Sequence, residues 1–118
     1  MRALFHINEQ GKWKTTLNAA LNASGVCAAR GEALELYIVA NGDAVNIVPP
    51  QVDEVWAQQR ERLLEAMKQP GIHVMLCQKA MELRSLTLPD DFEDAQVVPS
   101  AALFLIEHQE LGFPYIKQ

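Results

Sequence analysis

Cysteine is scarce in this 118-residue chain: Cys27 and Cys77 are its only thiols, and they lie far apart in sequence. No CxxC pair exists, so a dithiol redox couple and a zinc knuckle both lose their usual basis. The three histidines, His6, His73 and His108, have no HxxxH-type spacing, and metal binding is not expected. GxGxxG, GxxxxGK[ST] and GxSxG are absent too, which removes the main support for dinucleotide, Walker-type and serine-hydrolase chemistry. The apolar run at the start, Ala3 to Ile7, is too short for the core of a secretion signal. No stretch approaches the roughly 18 apolar residues of a membrane span. A cytoplasmic protein is expected, with no membrane partner.

Positive charge is also sparse. Ten Lys and Arg stand against fifteen Asp and Glu, for a net charge of -5, with no basic cluster. Nucleic acid and acidic lipid are therefore poor partners. What remains is ordinary globular composition: with 49% hydrophobic and 21% charged residues, the chain can build one real core and is not a disordered one.

Short apolar runs alternate with helical patterns along the chain, without linker, repeat or low-complexity tract. After the run Ala3–Ile7, Trp13, Leu17, Ala20, Leu21, Ser24 and Ala28 mark one side of a helix ended by Gly25 or Gly31. Leu34–Ala40 becomes continuously apolar, as does a strand covered on both faces, and Asn41-Gly42 stops it. That pair permits a hairpin, but the stretch after it suits a helix better than a second strand.

Pro49-Pro50 precedes the clearest helix. Val52, Val55, Trp56, Gln59, Leu63, Ala66 and Met67 fall on one face, and Asp53, Glu54, Arg60, Glu61, Arg62 and Glu65 fall largely opposite. Further strands are expected at Ile72–Cys77 and Ala95–Val98, with a short helical stretch Gln78–Arg84 between them. Pro99-Ser100 opens a last helix, with Pro near its first turn and Ser as a cap. Pro114–Lys117 reads as a short edge strand.

Alternation at this spacing predicts right-handed crossovers and a five-stranded, mainly parallel sheet in a three-layer α/β/α sandwich, all in one domain spanning residues 1–118. The segment Ala101–Ile106 is apolar around more than half of its helix. The surplus is either a generous core with one exposed aromatic, Phe104, or a homo-oligomer contact.

In open parallel sheets, function gathers beyond the carboxyl ends of the strands. Those positions are Asn8 after the first strand, Asn41 and Gly42 after the second, Cys77 at the end of the third, and Pro99 and Ser100 after the fourth. Cys77 is the one strong nucleophile among them. A helical stretch directly after it favours thiolate over thiol, and Lys79 in the first turn adds to the effect. The competing reading is a buried, small apolar side chain that ends a core strand. Cys27 beside Val26 reads as packing, and His6 and His73 as hydrogen-bonded strand histidines. A flavin phosphate loop at Asn8–Lys12 is poorly formed, though Thr15-Thr16 follow it.

Several segments together resemble a family. Leu4-Phe5-His6-Ile7-Asn8-Glu9, Lys12-Trp13, Leu17-Asn18 and Asn22 look like the opening of the small DsrE/DsrF-like proteins. Val39-Ala40-Asn41-Gly42 resembles their second-strand ending. Val97-Val98-Pro99-Ser100 and Gly112-Phe113-Pro114-Tyr115-Ile116-Lys117 resemble their C-terminal third. The resemblance implies a three-layer α/β/α fold, trimers or hexamers, and intracellular sulfur transfer with donor and acceptor proteins. In relatives a cysteine at the end of the third strand carries persulfide sulfur, and Cys77 is the matching position. Relatives often continue Cys-x-Asn-Ser/Thr-Leu, whereas this chain reads Cys77-Gln78-Lys79-Ala80-Met81. A sulfur carrier with no cofactor, a non-catalytic oligomeric binding module and, more weakly, a flavin or thiol oxidoreductase stay open at this point.

Overall fold

The computed structural model describes all residues, Met1–Gln118. Five strands form one wholly parallel sheet: β1 (Arg2–Ile7), β2 (Glu35–Ala40), β3 (Ile72–Cys77), β4 (Gln96–Val98) and β5 (Tyr115–Lys117). Their spatial order is β4-β3-β2-β1-β5, so both three-residue strands lie at the edges. Four helices connect them: α1 (Trp13–Arg30), α2 (Glu54–Met67), α3 (Gln78–Leu83) and α4 (Ala101–Glu110). β1 to β4 step across the sheet in one direction, and β5 returns to the far side of β1. Right-handed crossovers therefore place α1, α2 and the β3–β4 connection on one face, and α4 on the other.

The α1/α2 face is the dry one. Phe5, Ile7, Leu36, Ile38, Ala40, Ile72, Val74 and Leu76 alternate toward it and are buried. Trp13, Leu17, Ala20, Leu63 and Ala66 pack down from the helices. The indole N–H of Trp13 donates to the Ala44 carbonyl at 2.8 Å, so the largest core side chain buries no unsatisfied donor. Gly31 ends α1 at φ +67°, which leaves Gly25 inside the helix. The residues after Asn41 form a 3-10 turn, Gly42–Ile47, and no hairpin.

The opposite face is mixed. Residues paired in register share a face, so Leu4, Tyr37 and His73 point one way, as do His6, Val39 and Met75. α4 covers the middle of this face. Phe104 meets the Tyr37 ring edge-on at 5.3 Å and stacks on His108 at 3.9 Å, while Tyr37 stacks on His73 at 4.8 Å. The exposed large apolar residues of α4 are thus Leu103 and Ile106, whereas Phe104, expected outside, is half-buried in this aromatic cluster.

α2 departs from its sequence pattern. Asp53 caps it, its carboxylate accepting from the Val55 and Trp56 N–H groups, so Val52 lies before the helix and is fully exposed, and Val55 in the first turn is exposed as well. Arg60, placed on the solvated face by periodicity, is buried. Its guanidinium spans the Val48 carbonyl and the Asp91 carboxylate above the Phe92 ring, which satisfies the charge.

Candidate functional site at the carboxyl ends of the strands

The chain leaves β3 toward the α1/α2 face and leaves β4 toward the α4 face. Adjacent strands whose connections diverge open a crevice at their carboxyl ends, the usual place for ligands in such sheets. Here the divergence lies between Cys77 and Val98, which are paired in register. The sequence-expected residues lie around it. Cys77 is the residue before α3, with extended backbone at φ -70° and ψ 119°, and its side chain makes no cap hydrogen bond. By strand alternation its thiol shares the face of His73 and Met75, which is the α4 face. It is a free thiol and 8% exposed. Lys79 is exposed on α3, a helix of only six residues.

Pro99 immediately precedes the cap, near the first turn of α4 as expected. Ser100 is the cap itself, its Oγ accepting from the Leu103 N–H at 3.1 Å. With Val98, Leu103, Phe104 and Glu107 these two residues line a shallow cleft of about 190 Å³. The larger cleft of the molecule, about 300 Å³, lies at the amino ends of the strands, where Cys27, Leu34 and Gly71 line it. The smaller cleft is the one at the carboxyl ends of the strands, and Val98 in its lining pairs in register with Cys77.

Asn8, Asn41 and Gly42 meet on the other side of Cys77. The Asn41 N–H donates to the Ile7 carbonyl at 3.1 Å, extending the β1–β2 ladder by one residue. Gly42 has φ +55°, and a Cβ there would stand 2.9 Å from the Asn8 carbonyl oxygen. Glycine is required both for the backbone conformation and for this close approach.

The side chains form a polar row that strand-end reading alone does not find. Lys117 Nζ donates to Asn8 Oδ1 at 2.8 Å. His6 bonds Asn41 Oδ1 through Nε2 at 3.0 Å and Tyr115 Oη through Nδ1 at 2.6 Å. A carboxamide oxygen only accepts, so Nε2 carries the proton, and in the neutral ring Nδ1 accepts from the Tyr115 hydroxyl. Burial holds the His6 pKa below its ordinary 6.5; the Asn41 bond opposes that effect, and the Lys117 charge adds to it. His6 was legible as a hydrogen-bonded strand histidine. Its partner Tyr115 comes from the far end of the chain, and no local pattern signals that meeting. No cluster of three or more His, Cys, Asp or Glu that would hold a metal is present.

The model of the DsrE/DsrF-like family matches residues 1–117. The chain belongs to the DsrE/DsrF-like family. This family is associated with sulfur relay, and its members often oligomerise. A search of curated proteins found no match. Among solved structures, a protein of unknown function from Methanobacterium thermoautotrophicum superposes with a TM-score of 0.72 at 21% identity, over 99% of this chain and 98% of that one. That likeness concerns the fold. As in the rest of this DsrE/DsrF-like chain, no helix is long and apolar enough to cross a membrane.

Proposed function

We propose that this DsrE/DsrF-like chain is a sulfur-relay protein in which Cys77 carries sulfane sulfur from a donor to an acceptor protein. The observation that carries the reading is the position of Cys77: a free thiol at the carboxyl end of β3, beside the strand whose connection leaves on the opposite face. The Cys77 thiolate attacks the outer sulfur of a donor persulfide. One S–S bond forms on Cys77 while the donor's S–S bond breaks, and the electron pair leaves on the donor thiolate. Attack by an acceptor thiolate on the outer sulfur then regenerates Cys77. Neither step needs an oxidant or a cofactor. Both cysteines are free thiols, the state that a reducing cytoplasm maintains.

Intact-mass spectra after exposure to a low-molecular-weight persulfide test this reading. A gain of one sulfur in wild type and Cys27→Ser, lost in Cys77→Ser, is the expected result. No gain under conditions that load an established carrier overturns it.

A second reading, a binding or assembly module without thiol chemistry, is favoured by two observations. Cys77 is 8% exposed, and α4 presents Leu103 and Ile106 to solvent. Assembly into a homo-oligomer through α4 is part of both readings. A Cys77→Ser protein that assembles normally and supports every cellular phenotype of the wild type would favour the module.

A further inference from the structure

The polar row at the carboxyl ends of β5, β1 and β2 turns its acceptors inward and leaves donors outside. A lysine ammonium only donates, so its bond to Asn8 fixes that carboxamide with Oδ1 toward Lys117 and the NH2 group away from it. Asn41 is held likewise. Its Oδ1 accepts from His6 Nε2, while Tyr115 occupies the other ring nitrogen. Neither NH2 group has a partner within the chain, and neither asparagine is buried.

The two amides are neighbours. Ile7 pairs in register with Ala40, and the Asn41 N–H donates to the Ile7 carbonyl, so Asn8 and Asn41 stand next in line on adjacent strands. A Cβ on Gly42 would lie 3.7 Å from the Asn8 Cβ. Adjacent strands are about 4.8 Å apart, a gap that one small oxyanion can bridge with two oxygens.

The surrounding charge is positive. Burial, opposed by the Asn41 bond, lowers the His6 pKa, and the Lys117 charge lowers it further, so the field of this ammonium reaches across the row. The nearby carboxylates are engaged or turned away. Asp43 accepts from the Gln10 N–H at 3.0 Å, and Glu9 follows Asn8 in extended backbone, which turns its side chain to the other face. Amide donors beside one cation suit a ligand group with several negative oxygens.

We propose that Asn8, Asn41 and Lys117 form an oxyanion subsite for the sulfonate or carboxylate end of a small sulfane-sulfur donor. The proposal rests on the sulfur-relay reading of Cys77. Leu76 is the register partner of Ala40, so Cys77 stands on the next strand beyond Asn41, within reach of a donor held there by its anionic end. With thiosulfate, the Cys77 thiolate attacks the outer sulfur; one S–S bond forms as the other breaks, and the electron pair leaves on sulfite. With a carboxylate-bearing alkyl persulfide, the pair leaves on the alkyl thiolate.

The side-chain amide signals of Asn8 and Asn41 are followed by NMR during titration with methanesulfonate and with propionate, each against sodium chloride of equal ionic strength. Saturable shifts of both signals with either anion are expected, and the anion that gives them identifies the oxyanion. Asn8→Asp and Asn41→Asp keep the oxygens that Lys117 and His6 bond and replace each outward NH2 with a carboxylate oxygen. Each is expected to weaken binding at least about tenfold without lowering the thermal midpoint. Shifts that sodium chloride reproduces, or equal affinity in both Asp variants, overturn the subsite. Intact-mass rates of sulfur uptake separate this proposal from the reading beneath it. Uptake from an uncharged alkyl persulfide as fast as from thiosulfate and from 3-mercaptopropionate persulfide keeps the relay and overturns the donor class. Saturable binding without uptake from any donor upholds the subsite and sinks the sulfur-relay reading instead.

Discussion

Arg60 binds Asp91 as a fork, Nη1 to Oδ2 at 2.6 Å and Nη2 to Oδ1 at 2.8 Å, while its Nε donates to the Val48 carbonyl at 3.0 Å. One side chain thereby ties α2 to the turn that follows β2 and to the turn that precedes β4. Hydrogen bonding to the guanidinium holds the Asp91 carboxyl below its usual pKa. The clip thus anchors the 3-10 turn Asp90–Phe92, which lies shortly before β4 in the connection from β3.

Removing the clip should therefore cost more than removing its exposed partner. Arg60→Met is expected to lose about 1–3 kcal/mol, because the Val48 carbonyl loses its donor and the packing on Phe92 changes. Arg60→Lys should lose most of the same amount, since an ammonium cannot reproduce the fork. Asp91→Asn should lose about 0–1 kcal/mol, because the Asp91 side chain is 48% exposed. Urea unfolding at neutral pH measures all three, and a larger loss for Asp91→Asn than for Arg60→Met would refute the assignment.

Much of this architecture was legible because the signals are local. Largely apolar runs at Leu34–Ala40 and Ile72–Cys77 are what central parallel strands need, and both became strands within a residue of their expected bounds. Ser100 capped the helix it was expected to cap. Arg60 and Phe104 were misplaced for one common reason. Helical periodicity assigns a face but not what stands opposite it, and each of these side chains found a partner distant in sequence, Asp91 and Tyr37. The His6–Tyr115 bond was invisible on the same grounds, since β5 joins β1 from the other end of the chain. Cys77 was legible in position, at a strand end, and its burial was one of the two readings that the sequence left open.

Two glycines should respond in opposite directions to the same substitution. Gly71 has φ +84°, and a Cβ there would fall 1.8 Å from the Leu34 carbonyl oxygen. Its own carbonyl accepts from the Leu36 N–H at 2.7 Å, so the backbone cannot easily move away. Gly71→Ala is expected to cost on the order of 3 kcal/mol or more. Gly25 lies inside α1 with nothing within 4 Å of the added Cβ, so Gly25→Ala should stabilise by about 0.5–1 kcal/mol. Thermal unfolding of the two variants against wild type checks both signs, and a neutral Gly71→Ala would contradict the close approach.

The lowered pKa of His6 makes a prediction about acid. The unfolded chain binds this proton near 6.5 and the folded chain only at a lower pH. Between the two values the unfolded state holds more protons, so stability rises with pH there. The contribution is complete above about pH 6.5 and is lost as pH falls through the folded value. Wild type should therefore lose more stability than His6→Gln between about pH 7.5 and about pH 5, a window above the ordinary carboxylate range. Equal losses in urea midpoints would show that His6 titrates alike in both states.

The last prediction concerns α4. Leu103 and Ile106 are 54% and 53% exposed, so their side chains contribute little to the fold of one chain. Charged substitutions at such positions normally change monomer stability by no more than about 0.5 kcal/mol. A homo-oligomer formed through this helix face, by contrast, would have to bury two carboxylates per chain without partners. The double variant Leu103→Asp, Ile106→Asp is thus expected to run as a folded monomer in light scattering, with circular dichroism unchanged, where wild type runs as an oligomer. Phe104→Asp is the wrong probe for this question. It would place a charge inside the cluster of Tyr37 and His108 and unfold the layer under α4, whatever the oligomeric state. Identical molar masses for wild type and the double variant would remove α4 as the assembly surface, and a monomeric wild type would remove the homo-oligomer altogether.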